Sequence, residues 1–572
     1  MIYKPMNLYP KIRQHKNIIQ IILLVVLCFL IYAPSLGNGF IWDDDTNLYK
    51  NPWVQKTDGL QDIWFSHKIY QYYPVDFTSF WLEHKLWGLD PFGYHAVNLI
   101  LHILNVLLVF WVVRKLYRRL AFPVALLFTV HPIQVETVAW ITERKNLLSL
   151  FFFLWAILSY LRFDSTRKRR DYLLTVLMFT CALLSKSIAV CFIFFPALYK
   201  WWKDGRVARQ EIRLSFTLAA IGLFLALYAL YLEFYQVGAR GSAFNLTFLE
   251  RLALSGRIIL FYPYKIIFPF NFIFFYPRWT IDVNVWWQWL FFLAAMLIPA
   301  ALFIYRGRIG RGALALFIFY VISIFPVLGF LNVYGMQFAY VADHFSYLST
   351  PGLILLICAG ITLLLDRLKT RITFLSSIGY KILSRGFFIL IIIYMCSKSI
   401  ELTKNYKNEM VLWSNLARDN PRCLVAYDSL AEEYRDIGEK WKVVDLYKKA
   451  VSINPAAQEA YYNLGNAYCN LGNYEEAIKA YEKAIQIDPG YLQAINNLAS
   501  TYADMGKIEK AIGLWNKAVE ADPAFATAHF NLIRFYFAQK KYYLAIKHCD
   551  EIRKLGIPVD PEFLKLLESH RK

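Results

Sequence analysis

The sequence predicts an all-α protein in two parts, a polytopic membrane bundle over residues 1–400 and an α-solenoid of helical hairpins over 401–572. Three observations lead there. At 58% hydrophobic and 18% aromatic, the 572 residues are more apolar than soluble globular chains. Several apolar runs approach the roughly 20 residues that a helix needs to cross a bilayer. After residue 400 the pattern changes, and prolines at 455, 489 and 523 recur every 34 residues, a period of stacked helical hairpins.

The first membrane element is the run from Ile18 to Ala33. Its basic flank (Lys4, Lys11, Arg13, Lys16) resembles a signal peptide, but the following small-residue matches, "APS" and "SLG", are weak cleavage sites, so the run reads as an uncleaved first span. The eight cysteines are scattered, several inside apolar runs (Cys181, Cys191, Cys358), with neither a disulfide framework nor metal-binding spacing.

Charge orders the remaining spans. The net charge is +20, and after residue 400 basic and acidic residues roughly cancel, so the excess belongs to the membrane part. It falls in clusters: the N-terminus, "RKLYRR" (114–119), "RFDSTRKRR" (162–170), "KWWKDGRVARQEIR" (200–213), "RGRIGR" (306–311), and "DRLKTR" (366–371) with Lys381 and Arg385. Short basic loops stay cytoplasmic, so an even number of crossings separates successive clusters. That parity splits the run between Asp171 and Lys200 into two short passes meeting at Lys186. It also makes 258–277, "IILFYPYKIIFPFNFIFFYP", a partly buried extracytoplasmic segment, helix then loop, whose prolines and Lys265 do not suit a lipid-facing span. About eleven spans result, with the N-terminus inside and the C-terminus outside.

In the second part the tetratricopeptide pattern is full. Tyr461, Leu464, Gly465, Tyr468, Ala477, Tyr481, Ala484 and Pro489 define one repeat, and Leu498, Tyr502, Ala511, Trp515, Ala518 and Pro523 the next. A repeat around Leu430, Tyr434, Tyr447 and Ala450 precedes them, and a degenerate one around Leu532, Tyr536 and Ala545 follows. Pro421 stands one period further upstream, so "NEMVLWSNLARDNP" is expected to be a capping helix running on from the last span. Such arrays form curved surfaces that bind other chains.

Parity gathers five features on the extracytoplasmic face: the loop holding Asp43 to Asp45, "HPIQVETVAWITERKN" (131–146), Lys186, the 235–284 region, and "YGMQFAYVADHFSYLS" (334–349). Ionisable groups at membrane depth are most often functional. "WDDDTNLYKNP", "PVDFTSFWLEHKLWGLDPFGYHAVNLILHILN", "HPIQVETVAWITERKNLLS", "LLSKSIAV" and "VADHFSYLSTPGL", in this order and followed by the repeats, resemble the transmembrane and tetratricopeptide-repeat-containing O-mannosyltransferases and their bacterial relatives. The resemblance covers nearly the whole chain. It implies a GT-C fold and an integral-membrane glycosyltransferase that moves a sugar, mannose or a similar hexose, from a polyprenyl-phosphate lipid to Ser/Thr hydroxyls of an extracytoplasmic protein. The motif near the last spans departs from many relatives, which carry an arginine before the aromatic where this chain has His344.

Transfer to a hydroxyl needs a base, and a crowded carboxylate at the membrane interface has its pKa raised. Asp43 and Asp44 match the paired acids of the resembling family, with Asp43 as base and Asp44 as its partner; Asp45 is additional. The bland alternative is that these aspartates cap a short helix or repel an anionic membrane surface. The lipid-phosphate leaving group calls for cations opposite, and the candidates are Lys186, Arg144, Lys145, Arg257 and His344. Lys186 could instead snorkel to water, and Arg144 and Lys145 could be interfacial anchors. His131 and Glu136 suit fixing the 131–146 loop better than holding a metal. No cofactor is expected, with a divalent metal left open. Asn463, Asn497 and Asn531 stand 34 residues apart and are candidates to hold the backbone of an extended acceptor, as in the asparagine ladder of the nucleocytoplasmic O-linked N-acetylglucosamine transferases, or else simply help the repeats fold. Nothing suggests nucleic acid. The expected location is a bacterial inner membrane with the site facing the periplasm. The competing function is a non-enzymatic membrane scaffold, or a lipid flippase, with a partner-binding repeat domain.

Overall fold

The computed structural model describes residues 9–66, 71–371 and 378–571, with side chains left undescribed at 9–14, 242, 369–371 and 378–382; Lys4 of the basic N-terminal flank therefore lies outside the described residues. Among the described residues there are helices and no strands. The chain divides into two compact units, Met1–Asn415 and Leu416–Lys572.

Among the described residues of the first unit, seven helices are long and apolar enough to cross a membrane: His15–Gly37, Pro91–Leu116, Ile141–Thr166, Arg209–Tyr235, Trp286–Ile304, Thr350–Leu368 and Leu383–Tyr406. An eighth forms if Arg118–Val130 and Pro132–Ala139, bent by 59° at His131, count as one span. Eleven were expected. The difference lies in three apolar passes too short or too broken to qualify: Arg169–Ser185, with 17 residues, the Ser187–Phe194 and Phe195–Asp204 pair, and Gly312–Ser323, with 12.

Local chemistry explains the main breaks. Pro91–Leu116 begins where Asp90 accepts from the Phe92 amide at 3.1 Å and proline takes the first helical position, where its missing N–H costs nothing. The helix Arg169–Ser185 ends at Lys186, whose backbone is extended (φ −161°, ψ 129°), so the expected break falls on that lysine. Phe248–Ile267 is helical despite Pro263 and then gives way to irregular chain. There the Lys265 ammonium donates to the carbonyls of Phe270 (2.7 Å) and Asn271 (2.8 Å). The chain does not run on from the last span into the expected capping helix. It breaks near Lys407, and Asn408 caps Glu409–Asp419 by accepting from the Val411 amide at 3.0 Å.

One polar stripe places the site. Asn98, His102 and Asn105 lie on one buried face of Pro91–Leu116. Asn98 donates to the Trp140 carbonyl (3.1 Å) and Asn105 to the Leu147 carbonyl (2.9 Å), while His102 Nδ1 pairs with the Tyr347 hydroxyl (2.8 Å). A segment as broken as 131–146 has backbone groups that helical bonding does not satisfy, and at membrane depth they need such partners. His131 also fixes it, accepting from the Ile133 amide and meeting the Ile266 carbonyl, each at 3.2 Å.

The second unit contains four helix pairs: Leu424–Asp436 with Lys440–Ile453, Gln458–Asn470 with Tyr474–Ile487, Leu492–Asp504 with Ile508–Ala521, and Ala526–Ala538 with Tyr542–Lys554, then Pro561–Glu568. Small residues let the pairs close. Ala477, Ala484, Ala511 and Ala518 are fully buried, and a Cβ on Gly465 would stand 2.5 Å from the Tyr481 ring.

Candidate active site

Residues Ile41 to Asp44 form a tight turn. The Asp44 amide donates to the Ile41 carbonyl (3.1 Å), and the Ile41 amide donates back to the Asp44 carboxylate (2.9 Å). The second Asp44 oxygen accepts from the Thr142 amide at 3.0 Å, so this fully buried carboxylate staples the turn to the 131–146 segment. Asp43 Oδ1 accepts from the Thr142 hydroxyl at 2.6 Å, and Oδ2 lies 4.0 Å from Lys145 Nζ. Its side chain keeps 29% of its surface exposed, so of the two paired acids Asp43 is the one a substrate can reach. Asp45 pairs locally with Lys50 at 2.9 Å. Asp44 precedes a single helical turn, Asp45–Tyr49, without a side-chain capping bond to it, which removes the capping explanation for Asp44.

Glu143 is the centre of the charged group. Lys145 Nζ lies 3.0 Å from its Oε1, Lys186 Nζ 3.6 Å from its Oε2 and His344 Nε2 3.9 Å from its Oε1, and the Asn146 amide donates to it. Glu136 holds His344 from the other side, accepting from its backbone N–H at 2.9 Å and standing 3.1 Å from Nδ1. Next to His344, Asp343 accepts from the Tyr276 hydroxyl at 2.9 Å, which ties the 334–349 segment to the loop after Phe248–Ile267. Three groups distant in sequence thus converge on one carboxylate, itself 1% exposed.

Burial raises the Asp43 carboxyl above its ordinary value; Lys145 and the Thr142 hydroxyl pull it back, and Glu143 adds to the rise. Asp44 goes well above, through burial first and the neighbouring Asp43 second. Asp76, 3% exposed on the helix Pro74–Trp87, is pushed up to about 8 by burial despite Arg144 and Lys145. Asp343 rises well above its usual range through burial and Glu136, opposed by Lys265.

The expected cations therefore separate. Lys145, Lys186 and His344 come together. Arg144 does not join them: fully buried, it donates to Glu83, Asn98, the Ser79 hydroxyl (2.7 Å) and the Tyr94 carbonyl (2.7 Å), with its guanidinium 5.0 Å over Phe80. It cross-braces these elements while Lys145 turns to Glu143 and Asp43, because successive residues on a helix point about 100° apart. Arg257 also stands elsewhere, 4.1 Å over Trp279 and 5.7 Å from the Phe291 ring. The asparagine column bridges repeats: Asn463 donates to Asp428 (2.8 Å), Asn497 to Asn466 (2.8 Å) and Asn531 to Asn496 (2.9 Å). Each of the three amides thus donates to a residue of the preceding repeat.

Sequence reasoning passed over Thr142, Glu143 and Asp76. For the first two the signal was an acid followed by two bases in "ITERKN", yet pattern alone does not say which of five consecutive polar residues turns inward. Among the described residues, no group of three or more His, Cys, Asp or Glu is placed to hold a metal ion.

Residues 74–234 match the family described as dolichyl-phosphate-mannose-protein mannosyltransferase, and 459–491 and 496–557 match tetratricopeptide repeat families. The first match contains Asp76, Thr142, Glu143, Lys145 and Lys186 but not Asp43 or His344. Among curated proteins, the chain is 36% identical over 187 residues to protein O-mannosyl-transferase TMTC1 of Mus musculus, covering 28% of this chain and 20% of that protein. It is 31% identical over 200 residues to protein O-mannosyl-transferase F38B6.6 of Caenorhabditis elegans (31% and 28%), and 32% identical over 201 residues to TMTC3 of Homo sapiens (32% and 22%). The chain thus spans between 20% and 28% of the length of these relatives. Among solved structures, MamA is similar at 26% identity over 25% of this chain and 85% of that one, with a TM-score of 0.23. Over 74–234 this chain is accordingly similar to mannosyltransferases of the dolichyl-phosphate-mannose-protein type and over 459–491 and 496–557 to tetratricopeptide repeats, and the relatives it matches bear the name protein O-mannosyl-transferase.

Proposed function

We propose that this protein transfers mannose from a polyprenyl-phosphate lipid to Ser or Thr hydroxyls of a protein acceptor on the extracytoplasmic side, in a bacterial inner membrane. The observation that carries the reading is one partly exposed carboxylate, Asp43, set beside Lys145, with Lys186 and His344 gathered around the neighbouring Glu143. Asp43 takes the acceptor hydroxyl proton as the oxygen attacks the anomeric carbon, and the bond from that carbon to the phosphate oxygen breaks. The polyprenyl phosphate leaves with the bonding electrons, its developing charge met by Lys145 and Lys186 with His344 alongside. Burial and Glu143 raise the Asp43 pKa, which makes it a stronger base than a free carboxylate, while Lys145 and the Thr142 hydroxyl oppose the rise. The mannosyltransferase match and the relatives' names support the sugar and the reaction class; the charge parity of the loops supports the side.

The test is Asp43→Asn in purified protein, given radiolabelled polyprenyl-phosphate mannose and a Ser/Thr-rich peptide. Turnover is expected to fall by about 10²-fold or more with donor binding retained, as for a removed general base. Near-normal transfer would overturn the assignment of the base. Wild-type protein that binds the donor and never transfers would favour the scaffold or flippase.

A further inference from the structure

We propose that Trp42 is a positioning residue that aims Asp43, and that its indole is locked for this purpose by rings from three separate segments. The inference rests on the transferase reading above. Trp42 occupies the left-handed backbone region at φ 49°, a conformation that glycine adopts freely and a bulky side chain adopts only when its surroundings impose it. It is the second residue of the Ile41–Asp44 turn, so this dihedral decides where the next side chain points. The surroundings that impose it are on view. The Trp42 ring meets Trp413 at 4.9 Å, Phe275 at 5.8 Å and Phe338 at 5.9 Å, all edge to face, the favoured aromatic geometry. Trp413 is fully buried, and Phe275 and Phe338 stack on each other at 5.0 Å. Asp44 closes the same turn from the opposite side through Ile41 and Thr142. With both flanks fixed, the Asp43 carboxylate is presented to the Thr142 hydroxyl and Lys145. Asp44 and Trp42 are thus two clamps on one base.

The experiment compares Trp42→Ala, Trp42→Phe and Asp43→Asn in full-length detergent-purified protein, with polyprenyl-phosphate mannose and a Ser/Thr-rich peptide. In Trp42→Ala, kcat is expected to fall by about 10-fold to 10²-fold with the donor KM within about twofold, because displacing a reacting group by an ångström has that scale of effect. The acidic limb of the pH profile should move to lower pH as Asp43 swings toward water and loses the burial that raises it. Trp42→Phe keeps edge contacts and should recover most of the rate. If Trp42→Ala does not accumulate, Phe338→Leu removes one wall without touching the turn, and the same fall in kcat and pH shift are expected in smaller measure. Unchanged kcat and pH limb in folded Trp42→Ala or Phe338→Leu, with Asp43→Asn inactive, would overturn the positioning role and leave the base in place. An active Asp43→Asn would overturn both.

Discussion

Glu143→Gln is the perturbation that most directly tests the charged group. The residue is 1% exposed and is the shared counter-ion of Lys145 at 3.0 Å and Lys186 at 3.6 Å, with His344 at 3.9 Å. At an effective dielectric of about 20, each lysine contact at these distances amounts to roughly 5 kcal/mol of Coulomb attraction before desolvation. The net cost of removing one member of a buried pair is about 3–5 kcal/mol. Glutamine keeps the shape and the Asn146 contact region, so the loss is of charge. Two readouts follow. The first unit should melt several degrees earlier in detergent. Because Glu143 is among the groups that raise the Asp43 pKa, its neutralisation should lower that pKa and move the acidic limb of kcat/KM to lower pH. The donor KM should not rise, since the lysines are left with more uncompensated positive charge for a lipid phosphate. A variant as stable as wild type with an unmoved acidic limb would refute the placement of Glu143 at the centre of the group.

Three further outcomes can be checked. Thr142→Val removes the 2.6 Å hydroxyl donor to Asp43, which lowers the Asp43 pKa in the native protein; the acidic limb should therefore move to higher pH, with kcat/KM down about tenfold at neutral pH for a lost charge-assisted bond. Arg144→Gln leaves Glu83 without its buried partner and should destabilise the fold by about 3–5 kcal/mol, while folded protein keeps its donor KM; a selective rise in donor KM would return Arg144 to phosphate binding. Replacing Asn463, Asn497 and Asn531 together by alanine removes three bridges between repeats, each contributing about 1 kcal/mol, so limited proteolysis of the intact chain should cut the repeats sooner. Unchanged proteolysis with a raised peptide KM would instead favour an acceptor ladder.

Several features were written in the order of the residues. Apolar runs, basic loops and the 34-residue spacing of Pro455, Pro489 and Pro523 suffice for an all-helical chain of membrane spans and hairpin repeats, because hydrophobic length and period are local properties. The break at Lys186 was legible for the same reason, a charge interrupting an apolar run. What sequence left open was direction. Arg144 and Lys145 are neighbours with equal claims by charge, yet one is sealed against Glu83 and the other faces Asp43. That outcome depends on which way the helix beginning at Arg144 is rotated against Pro91–Leu116 and Pro74–Trp87, a matter of packing between elements remote in the chain. Glu143 shows the same limit: a single acid becomes the meeting point of residues 145, 186 and 344 only once three segments have folded together. Among the described residues seven helices, or eight with the bent pair, are long and apolar enough to cross where about eleven spans were expected, because apolarity permits a crossing, whereas the length of each helix is set where the tertiary fold bends or ends it.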